Sequence, residues 1–572
     1  MKKVIHFLTI LLAVTFLATG CSSKKEDKDK SKEPGKEEPK PSDTKKVELK
    51  EIKEVEPNEK TAQAMEIKES CIVSGTLEAA AGPKKKAIDW YKIVPGLKKA
   101  IKISISGIAE EDLLLSFMDA DKNDMFWVDS GKKGEGENFP NLIVENAVYM
   151  RVRGAAGGKG GDYKLSFEMS EPVSGQETEF NGRYSMADEL KIGDQIKGYL
   201  GHQRDEDWYL LSLKDVPTGS VLRVELTEVE NVRFALEILD TEERTPIHKV
   251  GSEKAGQGIV IRNLGVSGTP EAIFLVVKSG WVSGPKKKSI RTFNAEQTYS
   301  LSVSSEAGGD DLEREPNNSA KEAFLVLDGQ KIRGYLGAPS DIDWYKIEVE
   351  RPSLLSAELS ALDRVDLRLS VVDPEKKEAK KGFALVRIDY GKVNEAEVLT
   401  NCALKAGENY VRIEGSWKQV DGKWVRDFVN LDETYTLTLN LRTDEGKEER
   451  EPNPEAAKAT TINPGDTLRG TLHPKNDIDM FKLDLSGQDG PRDTIIECTG
   501  IPKLNISIKL LGPEKEADGK PKMIASSSKG KGDAKEQMQK ELMPGEYFII
   551  VRGSPRDESN KRDQYLLTVT QP

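Results

Sequence analysis

A pair of short motifs recurs four times along this 572-residue chain. Self-similarity at such a long period constrains the architecture before any local pattern does. A Glu-x-Glu-Pro-Asn segment reads Glu54–Asn58, Glu177–Asn181 (with Phe180 in place of Pro), Glu313–Asn317 and Glu449–Asn453. A strand start follows each: Asp89-Trp90-Tyr91, Asp207-Trp208-Tyr209, Asp343-Trp344-Tyr345 and Asp479-Met480-Phe481. A glycine precedes each strand start, at Gly75, Gly198, Gly334 and Gly470. Each repeat then closes on a strand such as Tyr547–Val551 and a final alternating strand such as Tyr163–Phe167 or Tyr435–Leu439. These landmarks divide the chain into repeats at 47–170, 171–306, 307–444 and 445–572.

Within a repeat the period is two. Runs such as Ser220–Leu226, Leu354–Leu359, Asp366–Val371 and Asn505–Leu510 alternate apolar and polar residues between turn residues. About eight such runs per repeat suit two packed sheets with each strand half buried. Asp533–Glu541 is the most helix-like stretch, and it is polar throughout.

Residues 1–20 have a basic start, Met1-Lys2-Lys3, and an apolar run from Val4 to Leu17, too short for a confident bilayer span. The run ends at Ala18-Thr19-Gly20-Cys21, which resembles the lipobox of bacterial lipoproteins. That resemblance implies cleavage before Cys21, lipid on Cys21 and anchoring to a membrane; several acyl chains would make the anchor stable. Ser22 stands where inner-membrane retention signals carry Asp, so the implied address is the cell envelope, with the outer membrane favoured. Residues 21–46 are rich in Lys, Glu, Asp, Ser and Pro, a composition expected to stay disordered as a tether.

The Glu-x-Glu-Pro-Asn segment, the Asp-x-Asp-Trp-Tyr strand and Pro544-Gly545-Glu546-Tyr547 running to Val551 resemble the bacterial pre-peptidase C-terminal domain. The resemblance covers essentially the whole chain after the tether and is weakest in the second repeat. It implies an all-β fold: a tandem array of four jelly-roll-like β-sandwich domains. Such domains accompany secreted peptidases, and related collagen-binding modules hold calcium near the segment that leads into the sandwich. This chain carries no peptidase.

The repeated acids are therefore candidate calcium ligands, since calcium takes six to eight oxygen donors. They are Glu54, Glu56, Asn58 and Asp89; Glu177, Glu179, Asn181, Asp205 and Asp207; Glu313, Glu315, Asn317, Asp341 and Asp343; and Glu449, Glu451, Asn453, Asp477 and Asp479. Ala87 takes the first Asp position in the first repeat. The alternative reading has these acids capping loop amides and each Asn closing a turn. Strand parity puts Tyr345, Ile347 and Val349 on the core face and Trp344 on the other, where it either packs under a loop or stacks on a ligand. Loops that differ between repeats are the second candidate sites. Trp417–Arg426 reads as a hairpin turning at Asp421-Gly422, with Gln419 opposite Trp424 and Trp417 opposite Arg426. Trp281 marks the corresponding loop of the second repeat.

Composition limits the function classes. With 97 acids against 85 bases the net charge is −12, both signs are interspersed, and no basic stripe suits nucleic acid. After Cys21 only Cys71, Cys402 and Cys498 remain, one per repeat at most, so no disulfide framework is expected. His202, His248 and His473 fall in no recurring motif, and no hydrolase or phosphate-loop signature occurs. The expectation is a non-enzymatic envelope lipoprotein that binds polysaccharide or protein through several modules. A structural spacer holding a partner near the membrane is the alternative, and a hydrolase the least supported reading.

Overall fold

The computed structural model describes residues 49–266, 271–283, 289–337, 341–376, 384–420, 422–426, 430–516, 519, 521–530, 532–555 and 559–572. Cys21, the signal segment and the tether lie outside these residues. Strands account for 57% of the chain, and no α-helix occurs among the described residues. The period-two reading of the sequence is therefore found throughout.

The third repeat shows the plan. One sheet runs in the order Phe324–Leu325, Ile342–Val349, Gly407–Gly415, Leu367–Val372, Ala384–Ile388. The other runs Lys331–Leu336, Asn430–Thr443, Ser353–Leu359, Glu397–Leu404. Pairing is antiparallel except for the short lead-in strand, which lies parallel to the Asp-Trp-Tyr strand. The same orders recur in the other repeats, with Lys50–Lys53 added as a parallel edge strand in the first, and each repeat encloses one large apolar cluster. Alternation decides which side chains enter it: Tyr345, Ile347 and Val349 are buried, and burial of each aliphatic contributes roughly 1.5–3 kcal/mol. Cys71, Cys402 and Cys498 are free and buried.

The expectation of four jelly-roll-like β-sandwich domains strung in tandem is corrected. Leu49–Pro572 form a single compact unit, a continuous solenoid-type β-array in which consecutive repeats are joined through their sheets. The joint is made by the lead-in segment of each repeat, which bonds as a parallel bridge to an edge strand of the repeat before it. The bridges are Leu142 with Glu179, Leu264 with Glu315 and Cys402 with Glu451. The Ile143, Gly265 and Ala403 amides donate to the Glu179, Glu315 and Glu451 carbonyls at 2.7, 2.7 and 3.0 Å. Sequence alignment of repeats locates boundaries, but pairing across a boundary leaves no pattern within either repeat. The most helix-like stretch of the sequence, Asp533–Glu541, is largely extended: Glu536–Leu542 is a strand paired with Arg492–Cys498. Its buried apolar members, Met538 and Leu542, lie on the core face, and tertiary packing overrides the polar pattern.

The recurring glycines have a steric cause. A Cβ at Gly334 would lie 2.4 Å from the Tyr435 ring, and Gly75, Gly198 and Gly470 face Tyr163, Tyr299 and Tyr565 in the same way. Gly334→Ala is expected to destabilise the protein by about 1–3 kcal/mol through overpacking. A fall in thermal midpoint checks this; an unchanged midpoint would mean that Tyr435 moves aside freely.

Candidate functional site: a repeated acid knot

The two motifs meet at one place in each repeat. One oxygen from each of Glu54, Glu56 and Asp89 lies within 4.8 Å of the others, and so do those of Glu177, Glu179 and Asp207. Glu313, Glu315 and Asp343, and Glu449, Glu451 and Asp479, form the equivalent groups. The peptide bond before Pro57, Phe180, Pro316 and Pro452 is cis in all four segments.

Local hydrogen bonds place each acid. The first Glu accepts from the backbone after the recurring glycine: Thr76, Tyr199, Tyr335 and Thr471 amides at 2.8, 2.7, 2.9 and 2.7 Å. The second Glu accepts from the backbone amide of the Asn two residues on, at 3.0, 3.2, 3.2 and 3.2 Å. The Asn carbonyl in turn accepts from Trp90, Trp208, Trp344 or Met480, which fixes the strand start. Asp205, Asp341 and Asp477 cap the Gly201, Gly337 and His473 amides at 2.6, 2.6 and 2.9 Å. Capping of loop amides is thus present at every acid position of the second, third and fourth repeats, except the strand-start Asp.

That Asp is held by a tyrosine from the last strand, a partner the sequence reading missed. Tyr163, Tyr299, Tyr435 and Tyr565 donate to Asp89, Asp207, Asp343 and Asp479. Their hydroxyls also meet those of Tyr91, Tyr209 and Tyr345, and in the fourth repeat Phe481 replaces this second ring. The recurrence of a final-strand Tyr was the available signal. A second missed set belongs to the preceding repeat: Asn141, Asn263 and Asn401 donate through Nδ2 to Glu177, Glu313 and Glu449 at 3.1, 2.9 and 3.2 Å. The knots of repeats two to four therefore sit at the junctions.

Capping leaves acceptors over. Oδ1 of Asn58, Asn181 and Asn317 is buried without a hydrogen-bond partner, and so is Oδ1 of Asp207, Asp343 and Asp479. In the fourth repeat the Asn453 amide nitrogen takes that position, and an amide flip would put oxygen there. Burial, reinforced by neighbouring acids, pushes the carboxyls up. Burial and then Glu54 raise Asp89 to about 8. Glu177 and Glu451 are also raised to about 8, by burial and then by Asp205 and Glu449 respectively. Asp207, Asp343 and Asp479 are raised well above the carboxylate range by burial and then by Glu177, Glu313 and Glu449. An all-oxygen donor set with orphaned acceptors and like charges in contact fits a hard divalent cation such as calcium.

The other candidates separate. Trp90 and Trp344 are 7% exposed, under Arg151 and Arg412 at 5.3 and 6.0 Å, so these motif tryptophans pack and offer no stacking platform. The Trp417–Val420 and Lys423–Arg426 strands pair in the expected register. Trp417 and Trp424 are 45% and 66% exposed and Gln419 is exposed, while the Arg426 side chain and Asp421 lie outside the described residues. Trp281 is exposed, with Arg291 over its ring at 5.2 Å.

No family model matches this sequence, and no curated protein matches it. Among solved structures, the chain is similar to the arabinofuranosyltransferase AftD from mycobacteria at 8% identity and TM-score 0.13, over 84% of this chain and 41% of that one. The chain thus spans less than half of that protein's length. The BSP domain of a biofilm associated protein matches at 9% identity and TM-score 0.12, over 93% of this chain and 99% of that one. At these scores neither likeness bears on function.

Raised carboxyls make the knots pH-sensitive. A carboxyl whose folded pKa is about 8 binds a proton more tightly folded than unfolded, so its contribution is complete below about pH 4 and is lost as pH rises towards 8. In chelator the melting temperature is therefore expected to fall between pH 5 and 8, apart from the response of the surface charges. Asp343→Asn should flatten that fall, and an equally steep slope in the variant would refute the assignment to the knot.

Proposed function

We propose that this protein is a non-enzymatic lipoprotein of the bacterial cell envelope, held to the outer membrane through lipid on Cys21. Its repeats form a stiff, cation-clamped array that holds ligand-binding faces for envelope polysaccharide or protein away from the lipid surface. The observation that carries this reading is the position of the knots. Glu177, Glu313 and Glu449 each bond within their own repeat and to an Asn of the repeat before, so a group that neutralises the knot also tightens the joint.

Glu177, Glu179 and Asp207, with the orphaned Asn181 Oδ1, would hold a cation in the second repeat, and their equivalents would do so in the third and fourth, with Asp205, Asp341 and Asp477 adding neighbouring negative charge. The cation would supply positive charge to the buried oxygens of Glu177, Glu313 and Glu449, which have no basic partner among the described residues, and ligand deprotonation would link its affinity to pH. The first knot differs. Glu54 is half-buried and Glu56 exposed, and among the described residues no repeat precedes them. Calcium is expected to raise the melting temperature of the full chain and to narrow the spread of its maximum dimension in small-angle scattering, both reversed by chelator. No response in either measurement would sink the clamp.

A surface observation supports the binding half. The hairpin of the third repeat presents two exposed tryptophans on one face, a geometry that suits sugar rings or apolar side chains. Trp417→Ala combined with Trp424→Ala is expected to weaken retention on purified envelope polysaccharide by about tenfold or more with no change in melting temperature. Unchanged retention removes the hairpin from the binding surface.

A further inference from the structure

Each of the three internal junctions joins the same two complementary halves. The trailing half is an edge strand with a one-residue bulge: Pro140-Asn141, Arg262-Asn263 and Thr400-Asn401 each stand opposite a single residue of the neighbouring strand. The Asn of each bulge is buried, and its Nδ2 donates to the first Glu of the next knot. The leading half is the backbone of the second Glu in the following repeat. Its carbonyl accepts from the bulged strand, and the Glu315 and Glu451 amides donate back to the Asn263 and Asn401 carbonyls at 3.0 and 2.9 Å.

The two ends of the array depart from this pairing in opposite ways. At the tail, Arg492–Cys498 and Glu536–Leu542 pair one to one with no shift of register. The bulge residue is missing, and with it the Asn: Cys402 stands three residues after Leu399, but Lys540 only two after Met538. Lys540 thereby takes the place of the buried Leu142, Leu264 and Cys402, and Gln539, Lys540 and Glu541 are all exposed. A charged edge without the bulge resists strand addition, as a terminal repeat must. At the head the leading half is intact and uncovered. Glu56 is exposed where Glu179 and Glu315 are buried, Pro57 is exposed where Phe180, Pro316 and Pro452 are half-buried, and Val55 is 62% exposed. Among the described residues the Glu56 amide and carbonyl have no hydrogen-bond partner. The segment already holds the junction conformation, since Glu54 accepts from the Thr76 amide and the Asn58 carbonyl from Trp90, as in the other repeats. An arriving strand therefore meets a preorganised edge.

We propose that the Glu54–Asn58 edge is a docking site for the bulged edge strand of a separate protein of β-sandwich type, which supplies an Asn side chain to Glu54 and a strand backbone to Glu56. The internal junctions define that occupant, because each shows the same leading half covered by such a strand. A second copy of this chain does not fit: its three bulged strands are each covered by the repeat that follows, and its tail lacks the bulge. The array is thus polar, receptive at its head and closed at its tail. This goes beyond the proposed function and needs neither a cation nor the tryptophan hairpin.

The test supplies the missing strand. Inserting an Asn between Gln539 and Lys540, together with Lys540→Leu, rebuilds the tail on the pattern of the other repeats. In sedimentation velocity the wild-type chain is expected to stay monomeric, and the rebuilt chain to form head-to-tail oligomers that grow with concentration. Excess wild-type chain, with its open head and closed tail, should convert these into dimers of one wild-type and one rebuilt chain. A peptide with the sequence of Ile259–Gly265 offers the same strand to the unmodified chain. It is expected to slow amide exchange at Glu56 by about tenfold or more, and the peptide lacking Asn263 is expected to leave that exchange unchanged. Self-association of the wild type, a folded rebuilt chain that stays monomeric, oligomers indifferent to excess wild type, or a Glu56 amide equally accessible with either peptide each overturns the proposal. If the rebuilt tail does not fold, the peptide pair decides the matter on the wild-type chain alone.

Discussion

Everything in a repeat hangs on one buried hydrogen bond, from a last-strand tyrosine to the aspartate that starts the Asp-aromatic strand. Tyr299, Tyr435 and Tyr565 are fully buried, and each reaches from one sheet to an Asp of the other. The bond joins the sheets at the point where the lead-in segment arrives with two more acids. A hydroxyl donating to a carboxylate in a low-dielectric interior is strong when made and costly when left open. That asymmetry fixes sheet register and explains why glycine stands beneath the ring. It also brings the acids together whether or not anything else binds them.

The junctions extend this logic beyond the repeat. Each lead-in segment completes the knot of its own repeat and adds a parallel bridge to the one before, with Asn141, Asn263 or Asn401 reaching across. Stability of such an array is a sum of repeat and nearest-neighbour terms, and the neighbour terms here are unequal. The first junction carries aromatic stacking, the second an arginine over a tyrosine, and the third a pair of threonine hydroxyls.

Much of this was legible in the chain. The spacing of Glu-x-Glu-Pro-Asn and Asp-Trp-Tyr located all four knots, and period-two parity placed Tyr345 inside and Trp344 on the opposite face. Other features were not legible, for identifiable reasons. Tyr435 and Asp343 bond across 92 residues, and no local pattern encodes such a contact. Phe180 read as a weakened motif because its partner, Phe126, belongs to the previous repeat. The continuous array was read as separate domains because alignment compares repeats with each other and is blind to what joins them. Glu536–Leu542 was helix-like only in composition, since strand pairing with Arg492–Cys498 decides its conformation.

The unequal junctions change what counts as the unit of this protein. Phe180 is shaped to Phe126, Tyr335 to Arg262, and Thr471 to Thr400, so each repeat is matched to one particular predecessor. Repeats that share a frame are consequently not interchangeable cassettes. The heritable module straddles two repeats, and the order of the four is itself encoded in the side chains that meet between them.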